Sequence, residues 1–162
     1  MELLDIYDID GNKTGKTIER GNKNFQDGEY IKLATVWLKS QGKYLIQKCS
    51  AERDSEYAVT GGHVTSGNTP LQQAAIEVKE ELNLDIDENS LIYLGNIIRG
   101  HAMFEVFLYQ DDKIINHPFT LQQEEVEDIL WLDSLEINNL KNNGLRPSTL
   151  QQFEKYIKDK DI

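Results

Sequence analysis

The run Gly61-Gly62-His63-Val64-Thr65-Ser66-Gly67, followed by Ile76-Glu77-Val78-Lys79-Glu80-Glu81-Leu82, decides how this chain is read. The second segment belongs to a helix with clear start and stop signals. Thr69 suits the N-cap, Pro70 the first helical position, and Gln72 completes a capping box. Leu71, Ala74, Ala75, Val78 and Leu82 recur at helical spacing. Asn83 suits the end, because asparagine tolerates the left-handed conformation. At roughly 100° per residue, with Glu77 at zero, Glu81 falls near 40° and Glu80 near −60°. The apolar positions centre on about 120° by the same count. The helix therefore carries an apolar face and, beside it, a face of clustered acids.

An acidic helix face is most often a solvated surface. Here, though, the acids crowd the C-terminal part of the helix, where the dipole disfavours negative charge. Each i,i+4 like-charge pair costs about 0.2–0.5 kcal/mol. A bound divalent cation would remove both penalties. Gly61, Gly62 and Gly67 are read as a glycine-rich loop that turns tightly and lets a ligand approach the backbone.

Outward from this core, the chain reads as strands, one helix, strands, then helices. Strands are expected over Glu2 to Asp8 and Lys16 to Arg20, joined by an Asp10-Gly11 turn, with an irregular stretch Gly21 to Gly28 after them. Tyr30 to Leu38 and Tyr44 to Cys49 form a hairpin around Gln41-Gly42. Tyr57 to Thr60 is a short strand leading into the glycines. Leu91 to Arg99, Met103 to Gln110 and Val126 to Leu132 are further strands, and Ser134 to Asn142 and Ser148 to Lys158 are helices. The order is neither a βαβ alternation nor an all-β sandwich. It predicts an α+β domain with a mixed sheet between helices, covering 1–162 as one unit, with an N-terminal hairpin and loop over 1–29 and the loop and helix over 61–84.

The 162 residues suffice for one core; 39% are hydrophobic, 28% are charged, and the net charge is −11. Such acidity argues against a nucleic-acid polymer or an anionic membrane as partner. It does not exclude a small phosphorylated substrate, since a bound cation reverses the local sign. The single cysteine, Cys49, allows no internal disulfide. With no signal peptide or long apolar run, a cytoplasmic location is expected.

The stretch from Gly62 to Leu84 resembles the Nudix box, GX5EX7REUXEEXGU, where U is a bulky aliphatic residue. Gly62, Glu77, Val78, Glu80, Glu81 and Leu84 match without a gap. Asn68, Ile76 and Asn83 depart, standing where the box has Glu, Arg and Gly. The opening, Asp5-Ile6-Tyr7-Asp8 through Gly15-Lys16 to Arg20-Gly21, resembles a Nudix subgroup akin to isopentenyl-diphosphate isomerases. The resemblance implies an αβα sandwich and an Mg2+- or Mn2+-dependent pyrophosphohydrolase, acting on the acid anhydride of a nucleoside diphosphate-linked or related small molecule. Glu80 and Glu81 would hold metal, Glu77 would hold metal or help deprotonate water, and the Gly61 carbonyl is a further oxygen ligand.

Glu124 or Glu125 is the candidate for a fourth carboxylate from a later loop, with Glu125 named as catalytic. Gly61, Gly62, His63 and Arg53 are the candidate substrate contacts, and Arg20 and Arg99 are further phosphate candidates. His101 and His117 are read as surface or turn residues. The box's Glu and Arg are replaced together, by Asn68 and Ile76, which strands no charge; Ile76 is expected to pack under the glycine loop in place of the ion pair. The alternatives are a Nudix-fold module that binds a nucleotide without cutting it, and an isopentenyl-diphosphate isomerase. Oligomeric state is open, a homodimer included.

Overall fold

The structure is a computed structural model that describes residues 1–160. Strands β1 (Leu3–Tyr7) and β2 (Lys13–Glu19) form a separate hairpin. The main sheet holds β3 (Ile31–Ser40), β4 (Lys43–Cys49), β5 (Tyr57–Ala58), β6 (Thr60–His63), β7 (Ile92–Arg99), β8 (Ala102–Gln110) and β9 (Val126–Leu132). Its order is β5-β4-β3-β8-β7, with β6 also on β3 and β9 also on β4. β3 and β8 run parallel and the other pairs antiparallel, so the sheet is mixed.

β3 is buried along most of its length because both of its faces are covered. Ala34, Val36 and Leu38 pack with Ala74, Val78 and Leu82 of helix α1 (Pro70–Leu82). Each fully buried Val or Leu there contributes about 1.5–3 kcal/mol. Trp37 points the other way, toward Ile137 of α2 (Ser134–Asn139) and toward Phe153, just after α3 (Pro147–Gln152). The architecture is α+β, a mixed sheet between helices.

β3 also forks. Leu33 to Val36 pair with β6, whereas Lys39 and Ser40 pair with β4. β4 then diverges with β9 and β5, and the chain crosses from one branch to the other between Ala58 and Thr60. The single strand expected over Tyr57 to Thr60 is therefore two strands with different partners.

The caps of α1 form as the residue types require. Gln72 N–H donates to Thr69 Oγ1 at 3.1 Å, and Thr69 N–H donates to Gln72 Oε1 at 2.9 Å. Asn83 is left-handed at φ 56°, its N–H bonded to the Lys79 carbonyl. The C-terminal helices are shorter than expected. α2 ends at Asn139, and after Gln152 the helix widens into a π turn over Phe153–Ile157.

Two local expectations are corrected. Gly61 and Gly62 are not loop turns; they lie in β6, opposite Thr35 and Ala34. Only Gly67 of the three has a positive φ, +92°. Glu81 is not on a solvated face but 3% exposed. Glu81 keeps its place on the helix beside Glu77, and neighbouring elements cover it. Gln122 N–H donates to the Glu81 carbonyl at 3.1 Å and Thr120 N–H to the Leu82 carbonyl at 3.3 Å, so a later loop caps this end of α1.

Candidate functional site: an acidic cavity across a glycine strand

Side chains alternate across a strand, so Thr60 and Gly62 of β6 face α1 while Gly61 and His63 face away. Gly62 is needed for what it lacks. A Cβ there would lie 2.4 Å from the Glu77 carboxyl carbon, so the carboxylate rests directly on the backbone. Gly61 answers to a different neighbour: its Cβ would meet the Ala34 carbonyl oxygen at 2.5 Å. One glycine admits a functional side chain; the other admits a neighbouring strand.

Glu77 and Glu81 are neighbours one helical turn apart whose carboxyls titrate against each other. Burial, then the neighbouring Glu77 charge, pushes the Glu81 carboxyl well above the usual carboxylate range. Burial also raises Glu77, against the opposing hydrogen bonds from Glu81 and Gln73. Gln47 of β4, fully buried, donates to Glu81 Oε1 at 3.0 Å and to Thr60 Oγ1 at 2.8 Å. The site thus binds two carboxylates tightly and raises their proton affinity, an arrangement typical of functional sites.

Glu77, Glu80, Glu81 and Glu125 line one cavity of about 650 Å³, together with Gly61, Gly62, His63 and Arg53. Every candidate site residue is therefore in one place. Glu125 is held by Arg53, Nε to Oε2 3.1 Å, and rides on the loop that caps α1. Glu124 contributes a backbone carbonyl to Ser50 Oγ instead. Arg20 also lines the cavity, whereas Arg99 bonds Gln151 elsewhere. Burial pushes His63 down to about 4, so it is a neutral ring at pH 7. Cys49 is buried, its thiol pushed up by that burial. His101 is an exposed turn residue, its ring stacked on Phe25 and its Nδ1 2.7 Å from the Glu29 carbonyl.

The altered brace has a different chemistry from the one expected. Asn68 Nδ2 donates to Gln73 Oε1 and to Thr65 Oγ1, both at 2.9 Å, and Gln73 Nε2 donates to Glu77 Oε1 at 2.9 Å. A neutral amide chain holds Glu77, and the partner of Asn68 is Gln73. Ile76 is half-buried at the cavity rim and has no part in the chain. Gln73 was missed in the sequence because one i,i+4 Gln–Glu pair on a helix has no distinguishing pattern. A double-mutant cycle of Asn68→Ala and Gln73→Leu should show a coupling of about 0.5–3 kcal/mol in denaturant unfolding. Additive effects would mean that the chain carries no joint energy.

Among the described residues, no three His, Cys, Asp or Glu side chains form a ready-made metal shell. The donors still suit a hard divalent cation: all are oxygens, and the carboxylates of Glu77, Glu80 and Glu81 line one cavity. Mg2+ is commonly held by one or two carboxylates, with substrate phosphate and water completing its octahedron.

No family model matches the chain. Nudix hydrolase 3 of Arabidopsis thaliana is 28% identical over 155 residues, which is 85% of this chain and 20% of that protein. An uncharacterized Nudix hydrolase of Listeria monocytogenes is 28% identical over 154 residues, covering 89% of this chain and 87% of its own length. A crystal structure of a Deinococcus radiodurans protein superposes with a TM-score of 0.78 at 18% identity, over 97% of this chain and 100% of that one. A MutT Nudix hydrolase from Burkholderia pseudomallei gives 0.62 at 16% identity, over 77% and 96%. A bifunctional NMN adenylyltransferase/ADP ribose pyrophosphatase from Francisella tularensis, complexed with AMP and Mn ion, gives 0.59 at 16%, over 77% and 40%.

The fold is the one that solved Nudix and MutT proteins share. The sequence relatives are named Nudix hydrolases and support the Nudix superfamily for this chain. These relatives lend no support to the isomerase-like subgroup.

Proposed function

We propose that this chain is a pyrophosphohydrolase that cleaves a diphosphate bond in a nucleoside diphosphate-linked or related small molecule, using Mg2+ or Mn2+. The observation that carries the reading is the Glu77–Glu81 pair in the wall of a cavity, Glu81 buried and Glu77 half-buried against Gly62. Glu77 and Glu81 would hold the metal, with Glu80 drawn in beside them and the Gly61 carbonyl as a further oxygen. A cation bound there would neutralise charge on the transferring and leaving phosphoryl groups.

The chain's own residues supply the rest. Gln73 and Gln47 fix the directions of Glu77 and Glu81. A carboxylate with raised proton affinity is a better base toward water near neutral pH. Glu77 would hold metal or, with the metal on Glu80 and Glu81, help deprotonate water, and Glu125 is the carboxylate that the capping loop can bring in. Arg53 and Arg20 offer cations for phosphate oxygens, and neutral His63 offers a ring nitrogen. The reading extends to a single domain over the whole chain, a small-molecule partner and a cytoplasmic setting. No helix among the described residues is long and apolar enough to cross a membrane.

The test is a panel of nucleotide and non-nucleotide diphosphates assayed for cleavage with Mg2+ or Mn2+. At least one should be hydrolysed, chelation should abolish turnover, and added metal should restore it. Full activity in excess chelator would overturn the metal mechanism. Binding of a nucleotide with no cleavage of any compound would make the chain a binding module.

A further inference from the structure

The cavity has a second end that hydrolysis of a diphosphate leaves unused. It lies past Gly61, on the face of the sheet away from α1, and is lined by Thr35, Phe104, Ser148, Thr149 and Gln152. The successive glycines of β6 put no side chain between the two ends. Gln152 is 1% exposed, and its Oε1 accepts from Thr35 Oγ1 at 2.8 Å and from the Trp37 indole N–H at 3.0 Å.

Those two bonds orient the amide. Indole N–H is a donor only, so turning the amide over would set two donors against each other. The amino group is therefore committed to the other side, and there Nε2 is buried with no partner. A buried donor without an acceptor is costly and calls for an explanation. Gln152 is also the last residue before the π turn, a local widening frequent at functional sites. Charge is settled at this end: Arg146 is paired with Asp54 and Glu56, which leaves it no call for a further anion. Phe104 adds apolar surface.

We infer that Gln152 is a specificity-determining residue, whose amide donates to a carbonyl or ring-nitrogen acceptor of an uncharged nucleobase joined to the diphosphate. The inference rests on the hydrolase reading for the seat of the diphosphate only. Its own content is the recognition of the attached group.

Gln152→Glu is the discriminating variant. It keeps an oxygen for Trp37 and Thr35 and replaces the donor by an acceptor. Binding of the α,β-methylene analogues of the four common ribonucleoside diphosphates, with methylenediphosphonate as the base-free control, is measured by calorimetry in Mg2+. At least one nucleotide analogue should bind wild-type protein more tightly than the control and should lose about tenfold in affinity or more in the variant, a change of about 1.4 kcal/mol. Methylenediphosphonate should be unaffected. Equal losses for both ligands, no loss, or wild-type protein that binds no nucleotide analogue would overturn the inference. Should the variant not fold, the side-chain amide signals of Gln152 in wild-type protein decide: they should shift with the nucleotide and not with the control. Nucleotide binding without cleavage would sink the hydrolase reading alone; cleavage without regard to the base would sink this one alone.

Discussion

Glu81→Gln is expected to cut turnover by about 10²-fold or more, because it removes a carboxylate placed to hold the metal and so should cost at least as much as loss of an outer partner of a metal site, and to raise the melting temperature of the metal-free protein. The two effects share a cause. Glu81 is buried against Glu77, so ionisation of the pair is unfavourable unless a cation sits between them. Glutamine keeps a carbonyl for Gln47 and can donate its amide to Glu77, so the fold survives. The sign with pH follows. The folded-state values of Glu77 and Glu81 lie above the ordinary glutamate value of 4.5. The folded state therefore holds more protons than the unfolded state between 4.5 and the raised values. Wild-type stability falls as pH rises through that window. The advantage of the variant should be small below pH 4.5 and complete above the raised values. Each kcal/mol relieved is worth about 2–4 °C for a chain of this size. Melting curves in chelator across that range test it, and an advantage that shrinks as pH rises would contradict the buried-pair account.

The second large effect is expected from a comparison of neighbouring glycines. Gly62→Ala places a Cβ against the end of a flexible side chain, Glu77, which can move aside. Stability should change by less than about 1 kcal/mol, under the typical cost of a point substitution because only a flexible side chain must move, while turnover and Mn2+ affinity fall by about tenfold or more because the displaced carboxylate loses its place. Gly61→Ala meets the Ala34 backbone oxygen, which cannot move without opening the β3–β6 ladder. It should cost about 1–3 kcal/mol in denaturant unfolding, as overpacking does. Mn2+ titration followed by EPR, beside denaturant curves, separates the two. Equal damage from both substitutions would show that the glycines act only as strand residues.

Much of the site was legible before any fold was known. Local chemistry set α1: a threonine cap, a proline at the first turn, a 3.6-residue apolar repeat and an asparagine able to turn left-handed act over a few residues and need no partner. Helical geometry also placed Glu77, Glu80 and Glu81 on neighbouring positions, and the Gly62 to Leu84 spacing carried the Nudix resemblance. Burial was not legible, because it depends on what arrives from elsewhere in the chain. The loop capping α1 and Gln47 of β4 turn Glu81 from a surface acid into a buried one. The fork in β3 turns two apparent loop glycines into strand residues. Asn68, Gln73 and Gln152 are ordinary polar residues in sequence, and hydrogen-bond direction alone gives them roles. Gln152 stands far along the chain from Thr35 and Trp37, and only the packing of the last helix on the sheet holds its amide at the oxygen and leaves its buried nitrogen without a partner.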